Sequence, residues 1–125
     1  MIFVFGSNLA GIHGAGAARV AFEKHGAVWG IGAGNYGNSY AIPTKDGNIK
    51  TLPLEKIKPF VNQFIHYAYE NPHLEFQVTR IGCGLAGYKD EEIAPLFKDA
   101  PYNCMFDTAW APWNDKPLRL YWGTY

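Results

Sequence analysis

Charge of one sign is missing from this chain: eleven Lys and Arg stand against eleven Asp and Glu, leaving no formal net charge. Without a basic excess there is no electrostatic case for wholesale nucleic-acid binding, although a total of zero leaves room for a local positive site. Cysteine is scarce. Cys83 and Cys104 are the only two, too few and too far apart for a zinc motif or a disulfide framework, so both are expected as reduced cytosolic thiols. Long hydrophobic runs are absent as well. The opening Met1-Ile2-Phe3-Val4-Phe5 is far too short for a signal peptide or a membrane span, and no basic segment precedes it. The expectation is a cytoplasmic protein with no membrane partner. What is plentiful is glycine, with 14 in 125 residues, and apolar side chains, at 48%. That apolar share supports a packed globule, and the length suits one domain rather than two.

Strand-like and helix-like stretches alternate along the chain. Residues 2–5 are apolar without alternation and read as a fully buried strand. Residues 15–24 place Ala17, Val20, Ala21 and Lys24 at helical spacing, and His25-Gly26 supplies a helix end. Residues 28–31 read as a short strand or extended piece, 32–38 as a loop and 39–43 as a strand, followed by a 44–47 turn away from the other loops. Leu54, Ile57, Val61, Phe64, Ile65 and Ala68 form an amphipathic stripe over residues 54–71, with Pro59 kinking or restarting that helix. Residues 75–81 read as the central strand, 90–97 as a short helix and 103–106 as a last strand. The tail from Thr108 carries Trp110, Trp113, Tyr121, Trp122 and Tyr125 without a period and reads as an aromatic strap on the core. Such alternation indicates an α/β sheet covered on both faces.

Two glycine-rich corners each follow a strand: Phe5-Gly6-Ser7-Asn8-Leu9-Ala10-Gly11-Ile12-His13-Gly14-Ala15-Gly16 and Thr79-Arg80-Ile81-Gly82-Cys83-Gly84-Leu85-Ala86-Gly87-Tyr88. Glycine lets the backbone turn sharply and lets a ligand approach bare peptide N–H groups. Ligands of open α/β sheets lie outside the carboxyl ends of strands, so the two corners read as two walls of one anion-binding cleft. Gly14-Ala15-Gly16 opens a helix, whose positive end favours an anion; the structural alternative is tight helix–sheet packing. Gly32-x-Gly34-x-x-Gly37 matches the dinucleotide fingerprint by letter, but strand-like Ser39-Tyr40-Ala41-Ile42-Pro43 follows instead of a helix, so it reads as a loop. Cys83 has no His or Asn placed as its base and reads as a small turn residue rather than a nucleophile. His13, His25, His66 and His73 lack metal-ligand spacing, and only His13 sits where it could touch a ligand. Neither a metal nor another cofactor is expected.

At these residues the sequence resembles a macro domain, the α/β/α module that binds ADP-ribose. The resemblance runs over residues 2–106 and rests on Gly14-Ala15-Gly16-Ala17-Ala18, Ile42-Pro43-Thr44-Lys45 and Arg80-Ile81-Gly82-Cys83-Gly84-Leu85. These segments resemble the branch holding terminal ADP-ribose glycohydrolases and the antitoxins that remove ADP-ribose from thymidine in DNA. The resemblance implies a three-layer α/β/α fold on a mixed sheet, N-terminally truncated relative to the family and followed by an aromatic C-terminal tail. In that branch the lysine of the Pro-Thr-Lys turn attacks the anomeric carbon of the distal ribose, which implies Lys45 as the catalytic residue. Protein-directed members carry an aspartate after the Ile-Gly-Cys-Gly-Leu run; here the position is Ala86, as in the DNA-directed relatives. Macro domains begin with a strand and a Gly-Asp element that grips adenine, whereas this chain starts at the next strand. Two expectations stay open: adenine recognition from the aromatic tail by stacking, or a ligand other than ordinary ADP-ribose.

The implied ligand set is Gly6, Ser7, Asn8, His13, Gly14, Ala15 and Gly16 on one side. On the other it is Gly82, Cys83, Gly84, Leu85, Ala86, Gly87 and Tyr88, with Asn8 near the distal ribose. The implied partners are ADP-ribose or a derivative of it, free or carried on DNA or protein. Two functions stay open: hydrolysis of an ADP-ribosyl adduct through Lys45, and non-catalytic reading or sequestration of an ADP-ribose-derived signal. The oligomeric state is not legible.

Overall fold

The computed structural model of the chain describes residues 1–124; Tyr125, placed above in the aromatic tail, lies outside the described residues. Twelve segments alternate: β1 (Ile2–Asn8), α1 (Gly16–Lys24), β2 (Gly34–Tyr36), β3 (Ser39–Lys45), α2 (Leu54–Glu70), β4 (Phe76–Val78), α3 (Asp90–Ile93), a 3-10 turn (Ala94–Phe97), β5 (Cys104–Asp107), a 3-10 turn (Thr108–Trp110), α4 (Ala111–Asn114) and β6 (Tyr121–Gly123). The strands form one sheet in the order β2-β3-β1-β4-β5-β6. Every pairing is parallel except β2 with β3. This is a mixed α/β fold with a three-layer arrangement. No helix among the described residues is long and apolar enough to cross a membrane.

Both faces of β1 are buried because its side chains alternate between two apolar clusters. Ile2 and Val4 join Tyr40, Ile42 and the α2 stripe of Ile57, Val61, Phe64, Ile65 and Ala68 on one face. Phe3 and Phe5 meet Ala18, Ala21 and Ala27 on the other, beneath α1. Pro59 does not restart α2, which runs unbroken from Leu54 to Glu70. Its missing N–H would have met the carbonyl of Glu55, and both residues lie on the exposed side, where water takes that carbonyl.

Three local readings are corrected. Residues 28–31 are not a strand: the carbonyls of Val28 and Ile31 accept from His13 Nε2, at 3.0 and 3.1 Å. Gly34–Tyr36, read as loop, is an edge strand, because it pairs antiparallel with β3 across the Gly37-Asn38 turn. The tail is no mere strap. Trp110 is fully buried in the core, and β6 extends the sheet beside β5. Arg119 anchors it: the buried guanidinium donates to the carbonyls of Ala100, Pro101, Cys104 and Asn114, at 2.8 to 3.3 Å. Its charge is thus satisfied by backbone oxygens, with no carboxylate partner among the described residues, and burial lowers its pKa.

Candidate functional site

The chain leaves β1 over the α1 face, while the chain leaving the neighbouring β4 goes to α3 on the opposite face. Loops diverging from adjacent parallel strands open a crevice at their carboxyl ends, the place where open α/β sheets bind ligands. A cavity of about 710 Å³ occupies this crevice, well within the range of small-molecule sites.

Three loops surround it. The 9–15 loop is shaped by Asn8, whose side-chain amide donates to the carbonyl of Ile12 at 2.8 Å and accepts from its N–H at 3.0 Å. Asn8 lines the cavity, but this side chain is occupied in clamping the loop. The 79–89 loop turns at Gly82, whose φ of +77° suits glycine alone, and it passes so near β1 that a Cβ on Gly6 would lie 3.4 Å from the Gly82 nitrogen. The 46–53 loop is tied to it: Thr51 Oγ1 donates to the carbonyl of Ala86 at 2.9 Å and the Tyr88 hydroxyl to that of Leu52 at 2.5 Å. Leu85 reaches across the mouth, its Cδ1 3.6 Å from where a Cβ on Gly16 would stand.

Backbone donors without partners lie along the lining. Among the described residues no acceptor takes the N–H of Gly14, Ala15, Gly16, Ala17 or Ala18, nor those of Gly84, Leu85 and Ala86. The N-cap of α1 is Ala15, which offers no side-chain cap, so the first-turn N–H groups are left for an outside acceptor. An N–H bond to a charged group contributes about 1.5–3 kcal/mol and a helix terminus about 0.3–1 kcal/mol. Three or four such bonds would outweigh the dipole for any anion placed there.

The charge pattern agrees. Among the described residues the lining includes the cations Lys45 and Arg80 and no acidic side chain. Arg80 is committed, donating through Nε and an Nη to the Asp90 carboxylate at 2.8 and 2.7 Å. Asp90 also accepts from Trp110 Nε1 at 2.8 Å. The Arg80 hydrogen bond holds the Asp90 carboxyl below its usual range. The Lys45 side chain, at the end of β3, makes no hydrogen bond or ion pair among the described residues. Burial, with a hydrogen bond to Asp90, pushes the Cys83 thiol up to about 12. It is therefore protonated and inert as a nucleophile.

Twelve of the residues singled out from the sequence line this cavity together: Gly6, Ser7, Asn8, Gly14, Ala15, Gly16, Lys45, Gly82, Cys83, Gly84, Leu85 and Ala86. His13, Gly87 and Tyr88 do not. His13 is buried beneath Phe22 and Trp29, and its Nε2 carries the proton because both its partners are carbonyls. It clamps the 9–15 loop to the 26–33 loop. Gly87 and Tyr88 brace the second loop from behind, through Gly87 N–H to Gly84 and Tyr88 N–H to Gly82. No aromatic side chain of the described tail reaches the cavity, which is walled by aliphatic Ile12, Val20, Ile49 and Ile81 instead. Sequence reading missed Ile12 and Ile49. The available signal was a large aliphatic residue in a glycine-rich or polar turn. Among the described residues no group of three His, Cys, Asp or Glu is placed to hold a metal ion. No family model, no curated protein and no solved structure matches the chain.

Proposed function

We propose that this protein is a macro-like domain that binds an ADP-ribose-type nucleotide in the crevice between β1 and β4. The observation that carries the reading is the pair of facing loops with unpartnered N–H groups, in a cavity lined by two cations and no acid. The pyrophosphate lies between residues 14–18 and 84–86, where the free donors are, and the sugar beyond it extends toward Lys45. Aliphatic Ile12, Val20 and Ile81 take the carbon faces that stacking aromatics would take elsewhere. Calorimetric titration tests this: ADP-ribose binds and AMP, lacking the second phosphate and sugar, binds at least tenfold more weakly. Equal affinity for both, or none for either, would sink the reading. Gly84→Glu, which sets a carboxylate among the donors, weakens binding tenfold or more.

A second reading, release of ADP-ribose from a DNA or protein adduct, is favoured by one observation: Lys45 lines the cavity unpaired. Its amine nitrogen attacks the anomeric carbon, and the bond to the leaving group breaks with its electron pair staying on that group. Water then hydrolyses the lysine adduct. With no carboxylate lining the cavity, water or the leaving group itself carries the protons, and turnover is slow. Lys45→Ala retains ADP-ribose binding and loses borohydride-trappable adduct. Absence of any released ADP-ribose from thymidine-linked, glutamate-linked and serine-linked substrates leaves the binder reading alone.

A further inference from the structure

We propose that Ile49 is a specificity-determining residue, held in a strained conformation so that the Lys45 end of the cavity accepts an uncharged ring rather than a terminal phosphate. The inference rests on the cavity's being the nucleotide site and adds to it which chemistry each end selects. Ile49 has φ of +62°, a region in which a β-branched residue is a genuine outlier. Gly47 and Asn48, which tolerate that region, stand immediately before it, yet neither adopts it. A turn with this sequence had an unstrained choice available, so the strain delivers the isoleucine side chain. Such outliers cluster at ligand clamps, where surrounding bonds over-determine them.

Those bonds are visible. Asp46 Oδ1 accepts from Asn48 N–H at 2.8 Å and from Lys50 N–H at 3.0 Å. Ile49 N–H donates to the Asp46 carbonyl at 3.1 Å, and Asp46 N–H to the Lys50 carbonyl at 2.8 Å. Lys45 bridges to Thr51 at the base of the turn. The N–H groups of residues 46, 48, 49 and 50 are thereby consumed inside the turn. The contrast with the free donors at 14–18 and 84–86 separates two subsites. One end offers many donors to a phosphate. The other offers Lys45 and an aliphatic wall, with the turn's N–H groups at 46 and 48–50 already spent. Ile12, Ile49 and Leu85, one from each loop, are all exposed at the mouth and line the cavity. An aliphatic rim of this kind suits the carbon face of a sugar or base.

The test is Ile49→Asn, because asparagine tolerates left-handed φ and brings an amide donor to the Lys45 end. Leu118→Asn serves as control, since Leu118 also has positive φ, at +68°, but is 84% exposed and remote from the cavity lining. Both variants are expected to melt at or above the wild-type temperature. The ratio of ADP affinity to ADP-ribose affinity should rise at least fivefold in Ile49→Asn and stay within twofold in Leu118→Asn. An unchanged ratio in Ile49→Asn, or a melting temperature more than five degrees lower, overturns the proposal. If wild-type protein binds neither nucleotide, the functional reading fails, and Lys45 itself then decides the question. A sulfonated succinimidyl ester, followed by peptide mass spectrometry, should acylate Lys45 at least threefold faster in Ile49→Asn than in wild type, with Lys56 as internal reference. Equal rates would show that Ile49 does not guard the lysine end.

Discussion

Gly32 and Gly84 lie in loops of similar composition, yet the fold places them in opposite surroundings. A Cβ on Gly32 would stand 1.9 Å from the Asn8 carbonyl oxygen, and one on Gly11 2.2 Å from the Gly30 carbonyl carbon. Backbone packs on backbone there, and no side chain fits. Gly84 and Gly14 have nothing within 4 Å of the corresponding position and no positive φ. Neither crowding nor dihedral strain calls for glycine at these two, and both line the cavity. The first kind of glycine serves the protein's own packing; the second leaves room for something outside it. The letters of Gly32-x-Gly34-x-x-Gly37 imitate a nucleotide motif, but Gly32 and Gly37 do the first job and Gly34 supplies a φ of +93°.

The sharpest way to break this contrast is to add one methyl group. Gly32→Ala forces an overlap with main chain that no rotamer relieves, and such overpacking costs about 3 kcal/mol or more. Against a total stability on the order of 5–15 kcal/mol this is a large fraction. The urea midpoint should fall steeply, with ligand binding lost only as the protein unfolds. A Gly32→Ala protein with a wild-type midpoint would show that the 26–33 loop is not pinned against Asn8.

Gly84→Glu should do the reverse. Its side chain enters open space, so the midpoint stays within about 0.5 kcal/mol of wild type. Affinity for ADP-ribose drops by tenfold or more, about 1.4 kcal/mol, through like-charge repulsion among the donors. Loss of stability and binding together would place Gly84 in the same class as Gly32.

Periodicity made the α2 stripe legible, because Ile57, Val61, Phe64, Ile65 and Ala68 are spaced for one helical face, and all five are buried. Strand-then-glycine punctuation likewise exposed both cavity corners. Three features were hidden for physical reasons. Gly34–Tyr36 carries no apolar alternation and is a strand only because β3 offers it partners. The tail's aromatic residues have no period, because what holds the tail is non-local: Trp110 against Phe97 and Phe106, and a cage of carbonyls around Arg119. The 44–47 turn was read as remote, yet the β3–α2 connection folds back over the crevice, and a left-handed Ile49 has no signature in a letter string.

The two loops should also differ in acid. Main-chain contact around Gly32 involves no titratable group, whereas the 79–89 loop is pinned by Arg80 to Asp90. The Arg80 hydrogen bond lowers the Asp90 pKa below the ordinary 3.8. A depressed carboxylate pKa contributes stability that is complete above the unfolded-state value and is lost as pH falls through the folded one. The Arg80–Asp90 contribution is thus intact at neutral pH and fades below about pH 4. Asp46, also lowered, titrates in the same window, so the comparison needs Asp90→Asn. That variant should be less stable than wild type at pH 7, and the gap should close toward pH 2. A gap independent of pH would mean that Asp90 acts by packing alone.

The smallest expected effects separate the two kinds of glycine most cleanly, because they change sign. At Gly84 or Gly14 alanine meets no neighbour and no forbidden φ. Reduced freedom of the unfolded chain then stabilises the protein by about 0.4–1 kcal/mol. The same methyl projects toward a ligand that must come within hydrogen-bonding distance of bare N–H groups. It should weaken ADP-ribose about threefold to tenfold, roughly 0.7–1.4 kcal/mol. Stability therefore rises while affinity falls, a pairing that a packing glycine cannot produce. Melting and titration of Gly14→Ala and Gly84→Ala, each alone, check it. If both variants bind ADP-ribose as tightly as wild type, the ligand does not approach these loops closely, and the free donors at 14–18 and 84–86 serve water.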